Sequence, residues 1–248
     1  VKHLANTYRF FVDPALLATD ALVLRDADLV RQLSRVLRLH AGDQIILLDG
    51  VGGSALVEIT VIERDLVRGT VLTRTSSAHE LALPITLYLA LLRAERFEWA
   101  LQKSVELGVM QIVPVQFSRS LPNERADGRK HERWQRIIRE AAEQACRSHL
   151  PHLTAPLSFA AACTAAQAQV LRLILWEGTA PRLPALLRSM ETPASIAIFS
   201  GPEGGITPDE LKLASDHGIM PVSLGPRILR AETAPLAALA ALGYQFDW

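Results

Sequence analysis

The stretch Ile196-Ala197-Ile198-Phe199-Ser200-Gly201-Pro202-Glu203-Gly204-Gly205-Ile206-Thr207-Pro208-Asp209-Glu210 passes from strand to turn to helix. Ile196 to Phe199 is an apolar run of the kind that forms a strand buried on both faces. Thr207, with Pro208 after it and Glu210 three residues on, is a capping box with proline at the first helical position. Between them lie Gly201, Gly204 and Gly205, which free the backbone to turn sharply and to expose N–H groups. A tight strand-to-helix turn accounts for such a cluster, and so does a backbone brought close to a ligand. The pattern is not GxGxxG and lacks the GK[ST] ending of a phosphate loop, so nucleoside triphosphate hydrolysis is poorly supported.

On both sides of this stretch strands and helices alternate. Strands are expected at Ile85–Leu92, Val109–Val115, Val170–Trp176 and Met220–Leu224. Helices are expected at Ala94–Leu107, Arg129–Arg147, Pro184–Met190, Thr207–His217 and Glu232–Tyr244. The alternation predicts an α/β fold around a mainly parallel sheet covered on both faces. Ahead of it, Arg9–Val12, Gln44–Leu48, Ala55–Ile62 and Gly69–Thr73 are short strands separated by turn residues, the spacing of a small β-barrel. One helix, about Ala27 to Leu39, interrupts them. Thr75-Ser76-Ser77-Ala78-His79 has the composition of a linker, which divides the chain into domains at 1–76 and 77–248.

The chain has 248 residues, 49% of them hydrophobic and 21% charged, which excludes a disordered or collagenous protein. Its 26 Lys and Arg balance 26 Asp and Glu, so any nucleic-acid surface has to come from local clustering of charge. Cys146 and Cys163 stand in no metal-ligand spacing and point to a reducing compartment. The histidines form no zinc motif, and no metal is expected. The longest stretch free of charged residues, Ser148 to Leu171, is broken by Pro151 and Pro156 and does not read as a bilayer span. The amino terminus lacks the apolar core of a signal peptide. A cytoplasmic location is expected.

Open parallel sheets bind ligands at the carboxyl ends of their strands. Besides Gly201–Gly205, a second such end is unusual: Leu224-Gly225-Pro226-Arg227-Ile228-Leu229-Arg230-Ala231-Glu232-Thr233-Ala234. Glu232 suits the positive start of the following helix, whereas Arg227 and Arg230 oppose it. Such a local conflict is expected where function overrides stability. As neighbouring strand ends, the two loops suggest one pocket, to which Trp176-Glu177-Gly178 adds a third. Arginines also recur at i, i+4 and i+7 in two expected helices, as Arg31, Arg35, Arg38 and as Arg129, Arg133, Arg136. From Arg119 to Arg147 there are eight Lys and Arg against five Asp and Glu. A solvated face and a phosphate-contacting edge are both open readings of such stripes.

Taken in chain order, RVLRLHAGD (35–43), DGVGG (49–53), QKSVELGV (102–109), EAAEQACR (140–147) before Leu150-Pro151, GPEGG (201–205) and LGPRILRAETA (224–234) resemble the RsmE family. These are bacterial methyltransferases of the SPOUT class that act on 16S ribosomal RNA. The resemblance spans essentially the whole chain. It implies a PUA-like RNA-binding barrel followed by a SPOUT domain with a carboxyl-terminal trefoil knot, S-adenosylmethionine held among the knot loops, and a homodimer. It further implies methylation of N3 of one uridine of the small ribosomal subunit, position 1498 in customary numbering.

With that activity in view, the cofactor would be held by Glu177, by Ser200, Gly201, Pro202, Glu203, Gly204 and Gly205, and by Leu224, Gly225, Ile228 and Leu229. Thr233 and Ala234 would form the rim under the methionine moiety. N3 of uridine is protonated at neutral pH, so the reaction needs a base, or cations that stabilise the uracil anion. Arg9, Arg227 and Arg230 are candidates to face the carbonyls, since an arginine fork is permanently charged. Glu232 is the candidate proton acceptor, or simply a helix-start carboxylate. Arg31, Arg35, Arg38, Arg119, Arg129, Arg133 and Arg136 are candidates for RNA phosphates. Two other readings compete: methylation of transfer RNA or a ribose hydroxyl, and a non-catalytic RNA-binding or ribosome-assembly factor.

Overall fold

The structure, a computed structural model, describes residues 7–76, 80–120 and 128–246. Residues Ser77–His79 of the expected linker, and residues 121–127 within the basic stretch, lie outside them. The chain forms two compact units. One contains Val1–Glu80 together with Ala142–Leu150, and the other contains Leu81–Ala141 and Pro151–Trp248.

The first unit is built on a five-stranded sheet in the order β1-β3-β4-β5-β2. Its strands are β1 (Arg9–Phe11), β2 (Ala21–Leu24), β3 (Gln44–Leu48), β4 (Gly53–Ile62) and β5 (Val67–Ser76). Only β1 runs parallel to its neighbour, β3; the other pairings are antiparallel. Alternate residues of the strands turn inward, so that Ile45, Leu47, Ala55, Val57 and Ile59 share a core with Val30 and Leu33 of the helical segment. That segment corrects the expected helix. α1 covers only Ala27–Arg31 and continues as one π-helical turn, Gln32–Val36. The Ser34 hydroxyl donates to Val30 O at 2.7 Å, and the Leu37 amide reaches back five residues to Gln32 O at 2.9 Å. A side chain that competes for a helical carbonyl loosens the regular ladder in this way. Arg38 then adopts a left-handed conformation, φ 54°. Arg31, Arg35 and Arg38 therefore do not share a regular helix face.

A second correction concerns Arg147, expected as the last residue of a helix from Arg129 and counted in its basic stretch. The long helix α3 (Gly128–Gln144) stops earlier, because Cys146 is left-handed at φ 61° and turns the chain inward. Arg147 is buried, and its Nε and Nη2 donate to Glu80 Oε2 at 3.0 and 2.7 Å. The other oxygen of Glu80 accepts the amides of Ser148 and His149, at 3.0 and 2.9 Å. Leu150 N donates to Gly50 O, and a Cβ at Gly52 would stand 2.7 Å from the His149 ring. Residues 142–150 thus close onto the 49–53 turn, far from them in sequence.

The second unit holds a sheet of order β12-β10-β11-β6-β7-β8, with β9 also on β7, and every pairing is parallel. Its strands are β6 (Ile85–Ala90), β7 (Gln111–Gln116), β8 (His152–Leu153), β9 (Leu157–Ser158), β10 (Leu171–Leu175), β11 (Ile196–Ser200) and β12 (Met220–Val222). The helices, besides α3, are α2 (Ala94–Glu106), α4 (Phe159–Ala165), α5 (Leu183–Arg188), α6 (Pro208–Asp216) and α7 (Thr233–Phe246). β6 and β11 are buried along their whole length, as central strands covered on both faces must be. Between them Tyr88 and Phe199 stack with centroids 4.3 Å apart. Among the described residues no helix is long and apolar enough to cross a membrane.

Candidate active site

The carboxyl ends of four adjacent strands, β12, β10, β11 and β6, lie along one edge of the sheet. The two loops singled out from the sequence are not immediate neighbours, because β10 stands between β11 and β12. The loop after β10 completes the site. Two adjoining cavities open there, of 540 and 470 Å³, both within the usual size of small-molecule sites. Leu175, Glu177, Ile228, Leu229 and Ala234 line both. The first is completed by Ser200 through Ile206, by Arg230 and Ala231, and by Arg96 from α2. The second is completed by Trp176, Gly178–Ala180, Arg182 and Ser223–Arg227, so Leu224 and Gly225 belong to it. Thr233 and Glu232 line neither, although both stand at the start of α7.

The glycines have specific duties. A Cβ at Gly201 would lie 2.6 Å from Ile206 Cγ1, and one at Gly204 would lie 2.9 Å from Arg119 Cβ. Gly205 is left-handed at φ 76° and faces Glu177 Oε1. These three are required first by the loop's own packing. Gly225, with φ 120° and nothing within 4 Å of a Cβ, is required by its backbone conformation and borders open space. The loop is pinned from outside. Arg119 Nη1 donates to Gly204 O at 3.0 Å, so Arg119 serves this loop. The capping box forms as expected, and Glu210 also accepts the Ser118 amide at 2.7 Å through its other oxygen.

A charged quartet borders the first cavity. Arg96 Nη1 donates to Glu203 Oε1 at 3.4 Å, and Arg96 Nε lies 3.8 Å from Glu232 Oε1. Arg230 Nη1 stands 4.0 Å from that same oxygen. The Glu232 side chain is 12% exposed, and its Oε2 is buried without a hydrogen-bond partner. Arg96 escaped the sequence reading. The signal that marks it is akin to the one used for Arg230: a cation at or just before a helix start, against the dipole. Of the remaining candidates, Arg227 is exposed at the mouth of the second cavity. Arg9 belongs to the other unit, in β1, where its Nη1 donates to Thr7 O at 2.9 Å. Arg129, Arg133 and Arg136 are exposed along α3, and Arg133 pairs with Glu98 at 2.7 Å. Arg31 pairs with Asp28 at 3.1 Å, and Arg35 is exposed.

This arrangement has known counterparts. Residues 79–243 match the RNA methyltransferase domain family, and residues 33–72 match the RNA methyltransferase PUA domain family. Ribosomal RNA small subunit methyltransferase E of Synechocystis is 40% identical over 239 residues, 95% of this chain and 77% of the relative. The chain belongs to the ribosomal RNA small subunit methyltransferase E family. A crystal structure of the Neisseria gonorrhoeae family member bound to S-adenosyl methionine aligns with TM-score 0.89 at 33% identity, covering 97% of this chain and 98% of that one. A Legionella pneumophila methyltransferase, solved in complex with the same cofactor, aligns with TM-score 0.84 at 31% identity, over 96% and 98% of the two chains. The α/β unit is thus the methyltransferase domain of the family and the β-rich unit its PUA domain.

The pocket residues fit such a cofactor. Glu177 and Glu203 offer carboxylates to ribose hydroxyls and to a positively charged ligand. The joined cavities, walled by backbone at 176–180 and 223–226, suit an adenosine with a charged tail. Among the described residues no cluster of His, Cys, Asp or Glu is placed to hold a metal ion.

Proposed function

We propose that the chain methylates N3 of a single uridine of 16S ribosomal RNA, position 1498 in customary numbering, using S-adenosylmethionine. The observation that carries this reading is the pair of joined cavities at the strand ends, bordered by the charged quartet, in a chain of this family. When bound, the cofactor supplies an electrophilic methyl group on a sulfonium. Backbone and glycines of 200–205 and 224–229 hold it, with Glu177 and Glu203 as polar partners and Ala234 beneath. Thr233, in the first turn of α7 but outside the lining of both cavities, is assigned with Ala234 to the rim under the methionine moiety.

The acceptor sets the remaining requirements. N3 of uridine must lose a proton, and the charge left behind spreads onto O2 and O4. Arg230, in the lining of the first cavity, and Arg227, at the mouth of the second, are assigned to that charge. Glu232 is the nearest carboxylate to Arg230 and the candidate for the proton. Arg9 contributes from the PUA domain, in the dimer from the partner subunit. The homodimer is supported by Trp99 and Tyr244, exposed by 44% and 84% on α2 and α7, which pack on each other. The trefoil knot belongs to the same reading. After edge strand β12, α7 returns to pack against α2 and the central strand β11. Arg31, Arg35, Arg38, Arg129, Arg133 and Arg136 are assigned to RNA phosphates, and the work is done in the cytoplasm on small subunits, without a metal.

The test is nucleoside mass analysis. Small subunits lacking the modification are incubated with the protein and S-adenosylmethionine. N3-methyluridine in the 16S RNA is the expected product. A 2′-O-methyl nucleoside, or methylation of transfer RNA alone, overturns the choice of acceptor. Failure to bind S-adenosylmethionine in calorimetry overturns the enzyme.

A further inference from the structure

The charged quartet sets two arginines, Arg96 and Arg230, against one shared carboxylate at the edge of the first cavity. Arg96 and Arg230 approach the same oxygen of Glu232, at 3.8 and 4.0 Å. Neither contact is short enough to be a hydrogen bond, so this carboxylate aims both guanidinium groups without consuming their donors. Both arginines line the first cavity, while Glu232 stands outside its lining, 9% exposed, with one oxygen buried and unpartnered. Arg96 is held further by a single long hydrogen bond, to Glu203 of the glycine loop, at 3.4 Å. Two cations facing a cavity, with their counter-charge behind them, suit a ligand with two separated carbonyl oxygens.

We propose that Arg96 and Arg230 form the acceptor-base subsite, one guanidinium on each carbonyl of the target pyrimidine, with Glu232 as the brace between them. This inference rests on the methyltransferase reading above, adds Arg96 to it as a residue that touches substrate, and gives Glu232 the task of positioning the two arginines in place of taking the proton. Uracil presents O2 and O4 on either side of N3, and both gain charge when N3 loses its proton. Cytosine replaces O4 by an amino group, which a guanidinium repels. The pair therefore selects uracil over cytosine and stabilises its anion through the same contacts. Arg96 occupies the first turn of α2, where a cation opposes the helix dipole. That placement leaves the guanidinium better satisfied by a substrate that becomes negative than by its own helix.

The test compares Arg96→Gln and Arg96→Lys with the unaltered protein on small subunits lacking the modification, with S-adenosylmethionine affinity measured by calorimetry. Loss of one such donor is expected to lower kcat by about 10²–10³-fold. The cofactor Kd should change by less than about threefold, on the scale of a lost exposed ion pair. Arg96→Lys should recover part of kcat, because the charge returns without the fork. A kcat for Arg96→Gln equal to that of the unaltered protein overturns the inference, and so does a loss of cofactor affinity that accounts for the loss of rate. If the unaltered protein makes no N3-methyluridine, both readings fall. If it does and Arg96→Gln does so equally well, only this one falls.

Discussion

Arg147 carries a full charge to a position that is 2% exposed, and Glu80 answers it with hydrogen bonds that also fix two backbone amides. A buried pair costs much in desolvation to assemble, and more to leave half-made. Arg147→Met is expected to lower stability by about 3–5 kcal/mol, because Glu80 is then buried without its cation. Glu80→Gln should also destabilise, because its amide oxygen can still accept from Ser148 and His149 but the buried Arg147 then lacks its counter-charge. Urea denaturation midpoints of both variants check this, and equal midpoints for Arg147→Met and the unaltered protein would refute it. Sequence periodicity carries the helix through to Arg147, since no rule of spacing foresees a left-handed cysteine at 146. Arg96 was missed for a related reason. Its partners Glu203 and Glu232 are more than a hundred residues away, and only the fold brings them together.

Elements were read more securely than their ends. β3 at Gln44–Leu48 is as expected, and the strand, turn and capping box from Ile196 to Glu210 form as their residues dictate. Apolar runs and caps act over a few residues, so local sequence reports them. β2 at Ala21–Leu24 went unread, and so did the π-turn after α1, where the Ser34 hydroxyl donates to Val30 O. The consequence for RNA binding is that the two arginine groups differ. Arg129, Arg133 and Arg136 ride on a regular helix of 17 residues, whereas Arg31, Arg35 and Arg38 follow an irregular one. Reversing Arg129 and Arg136 to glutamate is expected to weaken binding to ribosomal RNA and to flatten its salt dependence, by about 0.7–0.9 in slope for each phosphate no longer neutralised. Cofactor affinity should stay unchanged. Filter binding across a salt series measures this, and an unaltered slope removes α3 from the RNA surface. The same series with Arg35→Glu and Arg38→Glu tests the other group, where a fall in affinity is likewise expected.

At the scale of the molecule, the centre of the methyltransferase domain is sealed against charge. Burial raises Cys163 from 9.0 to about 12, with Glu210 adding to the effect, and raises Tyr88 from 10.0 to about 12, with Cys163 adding. Both groups are neutral when protonated, so their folded-state values above those of the open chain favour the fold at lower pH. The contribution is whole below pH 9.0 and is lost as pH rises toward about 12, the unfolded chain ionising first. Denaturation midpoints should therefore decline across that interval, and Cys163→Ala should shallow the decline. A midpoint flat from pH 9.0 to about 12 would contradict it. The PUA domain has a different dependence, on order of synthesis. Glu80 and Arg147 are 67 positions apart, and the intervening chain begins the other domain. At about 5–20 residues per second, a translating ribosome delivers Arg147 roughly 3–13 s after Glu80. For that interval the nascent PUA domain carries an unanswered carboxylate and lacks its closing strap, so it cannot be completed until much of the first segment of the methyltransferase domain has been made.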